Sequence, residues 1–153
     1  MINIVLYSPE IPHNTGNISR TCAVTGARLH IIKPMGFEIS DRTLKRAGLD
    51  YWDKLDVRYY ENYDEFIEKH NGKTMYFFSS HAEHSFSEVE YPDDVFLIFG
   101  RESVGLPKEL VEQNKEFSLR IPMRKTLRCL NLSNSVAIAV YEVLRQKNYE
   151  GLE

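Results

Sequence analysis

Val95-Phe96-Leu97-Ile98-Phe99-Gly100-Arg101-Glu102-Ser103-Val104-Gly105-Leu106-Pro107 is the stretch whose reading decides the fold. Five consecutive apolar residues follow Asp93-Asp94, and an unbroken run of that length fits a strand covered on both faces, as in a parallel sheet with helices above and below. Gly100 ends the strand, lets the main chain turn sharply and lets a ligand come within contact distance. Gly105 permits a second unusual dihedral, and Pro107 suits a first helical position. The loop between the glycines holds one acid, Glu102. It lacks the middle glycine of a dinucleotide fingerprint and the Gly-Lys-Ser/Thr of a phosphate-binding loop, so taken alone it fits an ordinary strand-to-helix turn.

A second transition of the same kind lies downstream. Phe117-Ser118-Leu119-Arg120-Ile121-Pro122-Met123 reads as a strand ending in proline, followed by a polar loop, Leu130-Asn131-Leu132-Ser133-Asn134-Ser135, and a long apolar helix. Two strand-to-loop transitions this close in sequence can face one pocket. Arg120, Arg124, Lys125 and Arg128 surround the second, which favours a substrate-binding role for Arg124 and Arg128 over a merely solvated face. Arg42, Lys45 and Arg46 form another basic group, while acids gather at 61–68 and 83–94.

A chain of 153 residues makes one domain, 1–153, large enough to bury a core without metals or disulfides. The net charge of −3 argues against a surface that adheres to nucleic acid everywhere, but not against a local basic patch. No apolar run approaches the ~20 residues of a membrane span. The N-terminus has neither the basic region nor the cleavage site of a signal peptide, so a cytoplasmic protein is expected. Cys22 and Cys129 are far apart and outside any CxxC, which fits buried thiols in a reducing compartment rather than a disulfide. His81 and His84 have a metal-like spacing, yet no third ligand stands nearby, and structural or solvated histidines are the better reading; no metal is expected.

In chain order, Ile2 to Tyr7 reads as an inner parallel strand. Pro9 and Pro12 stiffen the loop after it, and Asn14 suits an N-cap for a helix that Gly26 closes, with Ile18, Cys22 and Thr25 on one side. Strand two is Arg28 to Lys33, and a short helix from Ser40-Asp41 reaches Gly48. Asp56 to Tyr60 gives a short strand, Tyr63 to His70 a helix with Phe66 and Ile67 inward, and Thr74 to Phe78 a buried strand. Ser79 to Pro92 has little periodicity and reads as a loop. Strands alternating with helices make an α/β fold with a mainly parallel sheet and helices on both faces, with ligands expected at the carboxyl ends of the strands. The last helix is apolar nearly all round from Val136 to Leu144, so a second copy is expected to cover the side its own sheet leaves open: a homodimer.

Three of these segments together resemble the motifs of the SPOUT tRNA/rRNA ribose methyltransferases. They are Asn14-Thr15-Gly16-Asn17-Ile18-Ser19-Arg20, then Phe99 to Pro107, then Ile121-Pro122-Met123 with Asn131 to Ser135 and Tyr141-Glu142. They occur in the family's order and span nearly the whole chain, which is most similar to the small one-domain branch that methylates the 2′-hydroxyl of the tRNA wobble cytidine or uridine. Pro12-His13 and Thr126-Leu127-Arg128-Cys129 depart from the family's usual loops, which leaves the identity of the tRNA targets open.

The resemblance implies a C-terminal deep trefoil knot, which ordinary topology rules would reject. It implies S-adenosylmethionine held by the knotted loops, at Phe78, Gly100, Ile121, Cys129, Leu130 and Ser133. It also implies dimerisation through the first and last helices, and a tRNA surface built by both subunits. Arg20 is then the catalytic residue, acting in the partner's pocket by holding the phosphate beside the target ribose and stabilising the developing alkoxide. Glu102 orients the hydroxyl or accepts its proton, or else caps the helix after Pro107. Asn14 positions Arg20 or is only an N-cap. Ser133 and Asn134 hold cofactor or substrate or cap the last helix, and Tyr141 bridges the dimer or fills core. Two rivals stay open: a ribosomal RNA ribose methyltransferase, and a non-catalytic RNA- or nucleotide-binding α/β module.

Overall fold

The computed structural model of the chain describes residues 1–38, 42, 52–127 and 129–153. Its elements are β1 (Ile2–Tyr7), α1 (Pro12–Thr25), β2 (Arg28–Ile32), β3 (Val57–Tyr60), α2 (Tyr63–Lys69), β4 (Thr74–Phe78), β5 (His84–Ser85), β6 (Val95–Phe99), α3 (Lys108–Gln113), β7 (Ser118–Arg120) and α4 (Leu132–Gln146). Single 3-10 turns cover Trp52–Lys54 and Lys115–Phe117. The expected helix at 40–48, together with Lys45, Arg46 and Arg128, lies outside the described residues.

The strands form one seven-stranded sheet in the order β3-β2-β1-β6-β4-β7-β5. Every pairing in it is parallel. The apolar run at 95–99 sits at the centre of this sheet, and all five of its residues are buried. Val95, Leu97 and Phe99 face a layer containing Ile18 and Cys22 of α1 and Val136, Ala139, Val140 and Val143 of α4. Phe96 and Ile98 face Phe66 of α2 and Leu106 and Leu110 near α3. A strand buried this way needs no polar alternation, and each fully buried Leu or Ile contributes roughly 1.5–3 kcal/mol.

Three expectations are corrected. Asn14 is not an N-cap: α1 begins at Pro12, and its cap residue Ile11 makes no side-chain capping bond. Proline pre-sets the first turn and lacks an N–H needing a cap, so it wins over a good capping residue two positions on. The segment from Ser79 to Pro92 is not all loop, since His84 and Ser85 pair with Leu119 and Arg120 as the edge strand β5. Its two residues carry no periodicity, and only the neighbouring strand defines them. Cys22 is buried as expected, but Cys129 is exposed. Burial pushes the Cys22 thiol up to about 12. Gly26 closes α1 in the left-handed region, with φ 76°.

On the α2 face a directed hydrogen-bond chain crosses three strands. Asn3 donates its amide to Asp94 Oδ1 (3.1 Å) and Val95 O (3.3 Å), so its Oδ1 faces His30 Nε2 at 2.9 Å. His30 therefore carries its proton on Nε2, and Nδ1 accepts from the Tyr60 hydroxyl (2.8 Å), which in turn accepts from His70 Nε2 (2.7 Å). Burial first, then the His70, Arg58 and Arg28 charges, lowers His30 to about 3. The folded state thus binds fewer protons than the unfolded chain between that value and the ordinary histidine value near 6.5. Stability is complete above the upper limit and lost as pH falls through the window, by about 2 kcal/mol at pH 5. Urea unfolding at pH 7 and pH 5 checks this: His30→Gln should flatten the difference, and an equal slope in both proteins would refute it.

Candidate active site

The carboxyl ends of β4, β6 and β7 lie side by side, because Phe78 pairs with both Phe99 and Leu119. Phe78 and Phe99 stack with ring centroids 4.6 Å apart and planes 19° from parallel, closing the sheet edge below. Gly100 follows β6 and is buried; Ile121 follows β7. Cys129 and Leu130 come next on the segment leading into α4, where Met123 (37 %), Leu127 (71 %) and Leu130 (37 %) expose apolar surface.

A hydrogen-bond network joins the three motifs. Glu102 accepts the N–H of Glu10 on Oε2 (2.8 Å) and that of Ile11 on Oε1 (3.1 Å), and Asn14 Nδ2 reaches Oε1 at 3.5 Å. Asn14 is buried, and its Oδ1 accepts from Asn131 Nδ2 at 3.0 Å. Asn131 Oδ1 accepts from Ser133 N (2.9 Å), Ser133 Oγ (2.6 Å) and Asn134 N (3.4 Å) at the start of α4. The direction of each amide is forced. A carboxylate only accepts, so Asn14 must offer its NH2 to Glu102; its carbonyl then requires a donor from Asn131, whose own carbonyl is left for the helix N–H groups.

Glu102 therefore caps the entry to α1, not the helix after Pro107. It supplies negative charge to a first turn that has no acid of its own. Glu10 returns the contact: its Oε1 accepts from Ser103 N (3.1 Å) and Ser103 Oγ (2.6 Å), and these bonds lower the Glu10 carboxyl. Loops 8–11 and 101–105 thus each place a carboxylate on the other's main chain. Glu10, Ser103 and Asn131 are site residues that sequence reasoning missed. Asn131 did carry a signal, being a preferred capping residue directly before the apolar run. Glu10 and Ser103 stand 93 positions apart, and no local pattern links them.

Asn131→Ala should remove both the α4 cap and the donor to Asn14. Loss of such a cap costs about 1 kcal/mol, which is about 2–4 °C in a chain this size. Asn131→Asp keeps the cap but cannot donate to Asn14, so it should retain most of the melting temperature while losing part of the site's order. Equal melting of Asn131→Ala and the wild type would remove the hub role.

The remaining candidates fall in three places. Arg20 is exposed on α1. It stands six residues past Asn14, about 9 Å further along the axis and about 120° around the helix from it, on the solvent-exposed surface of α1. Ser133 is buried with its hydroxyl on Asn131, and Asn134 is exposed. Tyr141 is 46 % exposed and does not fill core. Arg124 is exposed on the loop after β7, whereas Arg120 is held by the carbonyls of Ala82 (3.3 Å) and Glu83 (2.5 Å). Among the described residues, no group of three or more His, Cys, Asp or Glu is disposed to hold a metal ion, and no helix is long and apolar enough to cross a membrane.

Comparison with known proteins places the chain in a family. The sequence profile of the SpoU rRNA Methylase family matches residues 1–141. A Listeria monocytogenes protein is 52% identical over 153 residues, covering 98% of this chain and 90% of its own. The Escherichia coli protein named tRNA (cytidine(34)-2'-O)-methyltransferase is 47% identical over 152 residues, covering 99% of this chain and 97% of its own. A solved structure from work on the 2-OH methylation of C/U34 on tRNA superposes with a TM-score of 0.91 at 42% identity, covering 98% of both chains. Matched from β1 through most of α4, with relatives similar along their whole length, the chain belongs to the SpoU rRNA methylase family.

Proposed function

We infer that this protein methylates the ribose 2′-hydroxyl of the wobble cytidine or uridine, position 34, of tRNA, with S-adenosylmethionine as donor. The observation that carries the reading is the Glu102–Asn14–Asn131 chain, which ties the three family motifs to one sheet edge, in a sequence 47% identical to the E. coli tRNA enzyme. That identity over the whole chain favours tRNA over ribosomal RNA. The ends of β4, β6 and β7 suit the donor: main chain at the strand ends and a buried glycine lie over the buried Phe78–Phe99 stack, with exposed apolar side chains at Leu127 and Leu130 on the segment beyond. Main-chain groups at Phe78, Gly100, Ile121, Cys129 and Leu130 would hold it, with Ser133 fixing the wall through Asn131. When bound, it supplies a methyl group on a sulfonium.

The rest of the chemistry belongs to this chain. In-line transfer to a ribose hydroxyl needs alignment, charge stabilisation and exclusion of water. Glu102 and Asn14 hold the α1 entry against the strand ends, and Arg20 steadies the phosphate beside the target ribose. Arg124, Arg128, Asn134 and Tyr141 are assigned to the RNA. The same reading takes two copies, with Arg20 of one acting in the crevice of the other. The exposed apolar residues Val24 (58 %) on α1 and Ile138 (39 %) and Tyr141 on α4, two helices packed on each other, offer the dimer face. A trefoil knot belongs to the same reading, supported by β7 lying between β4 and β5, two strands of one continuous excursion that returns to β6. The site of action is the cytoplasm, where tRNA is matured.

Nucleoside mass spectrometry of tRNA and rRNA from cells with and without the gene tests this. Loss of the 2′-O-methyl mark at position 34 of tRNA is expected; loss confined to rRNA, or donor binding without transfer to any RNA, would overturn it.

A further inference from the structure

A second recess opens at the carboxyl ends of β2 and β3, on the sheet face that carries α1. It is an open depression of about 680 Å³, lined by Lys33, Met35, Phe37, Glu38, Tyr59 and Glu61, among others. Its wall is continuous with the motif loop that Glu102 holds. Ser8 N donates to Ile32 O (2.8 Å) and Gly36 N to Pro9 O (2.9 Å), and a Cβ on Gly36 would lie 2.9 Å from Glu10 Cα, so the 33–37 turn rests directly on loop 8–11.

We propose that this recess binds one unstacked nucleobase of the RNA substrate, a neighbour of the methylated nucleotide that carries an exocyclic amino group. The inference rests on the tRNA reading above. Tyr59 is 39 % exposed, and Lys33 Nζ lies 5.9 Å from its ring centroid. The ring is therefore a pre-positioned stacking face with apolar Met35 and Phe37 beside it. Burial raises the Tyr59 hydroxyl, so it stays neutral in use. A phosphate does not suit the site: Lys33 is already paired with Glu61 (Nζ to Oε1 3.2 Å), and Glu38 adds a second carboxylate. Carboxylates accept from the amino groups of cytosine, adenine or guanine and find no such donor pair on a phosphate or a ribose. Single-strand recognition by aromatic stacking with hydrogen bonds to the base edge has this composition.

The test is a coupling experiment on the full chain. Affinity for an anticodon stem–loop RNA is measured in the presence of S-adenosylhomocysteine, with each loop nucleotide flanking the wobble position replaced in turn by an abasic one. Tyr59→Leu keeps apolar bulk and removes the aromatic face; Tyr59→Phe keeps the face and controls for folding. Stacking of one base is worth about 1–3 kcal/mol, roughly 5- to 150-fold in affinity. One abasic position is expected to weaken wild type and Tyr59→Phe by that factor and to leave Tyr59→Leu unchanged, with cofactor affinity equal in all three. The same abasic penalty in Tyr59→Leu as in wild type, or no penalty at any position, would overturn the proposal. If the wild type shows the coupling but transfers no methyl group to tRNA, the proposed activity falls and the base site stands.

Discussion

Arg20→Ala is expected to abolish methyl transfer to tRNA while leaving affinity for S-adenosylmethionine within a few-fold of wild type. The side chain is exposed on α1, and the strand ends assigned to the donor do not include it. On the proposed reading its removal touches RNA and transition state, not cofactor. A guanidinium keeps its proton in proteins and presents a planar fork that matches phosphate, so the role proposed for it is alignment and stabilisation of the developing alkoxide rather than proton abstraction. Loss of one such donor costs about 10²–10³ in kcat, and loss of the aligned phosphate adds to it. Arg20→Lys restores charge without the fork and should recover little. Calorimetry with the donor and single-turnover transfer of a labelled methyl group to tRNA read the two quantities separately. Near-normal turnover of Arg20→Ala would remove the role, and a large loss of donor affinity would move Arg20 into the cofactor site.

What was legible in the chain follows from where each signal is stored. The central strand was read correctly at 95–99 because burial on both faces is written into consecutive residues, and Gly26 marked the end of α1 because a left-handed position leaves little choice of residue. The start of α1 was misread at Asn14 because its capping acceptor comes from Glu102, 91 residues from Ile11. A cap delivered across the sheet has no local spelling. Strand β5 was invisible for the same reason, its two residues being ordered by β7. Of the site, the motifs are legible through resemblance, while the bonds of Ser103 to Glu10 and of Asn131 to Asn14 follow only from the topology that sets their loops together. Glu102 shows the limit most clearly. Its acidity suggests a role toward the hydroxyl or a cap for the next helix, and no local pattern shows that each of its oxygens accepts a main-chain N–H of loop 8–11.

Gly100→Ala should be far more damaging than the alanine substitution of the other glycine in the same loop, Gly105. A Cβ on Gly100 would lie 2.1 Å from Gly105 C and from Leu106 N, and 2.6 Å from Gly105 Cα, all main-chain atoms that no rotamer change can move. Those atoms are held in turn: Gly105 N donates to Arg101 O at 2.9 Å, and Leu106 is buried in the α3-side core. Relief requires the whole 101–105 loop to shift, which pulls Glu102 off Glu10 and Ile11 and breaks the Ser103–Glu10 contact. Overpacking of this kind costs about 1–3 kcal/mol or more, so a fall of roughly 5–10 °C in Tm is expected, with donor affinity reduced by more than about 100-fold because the displaced main chain is the proposed cofactor wall. Gly105→Ala separates the two reasons a glycine is needed. Its φ is +72° and nothing lies within 4 Å of its Cβ position, so only the strain of a left-handed alanine applies, about 1–2 kcal/mol. Thermal melting and donor titration of both variants should rank Gly100→Ala well below Gly105→Ala in each. The reverse order would mean that conformation, not contact between the two ends of the loop, fixes the site.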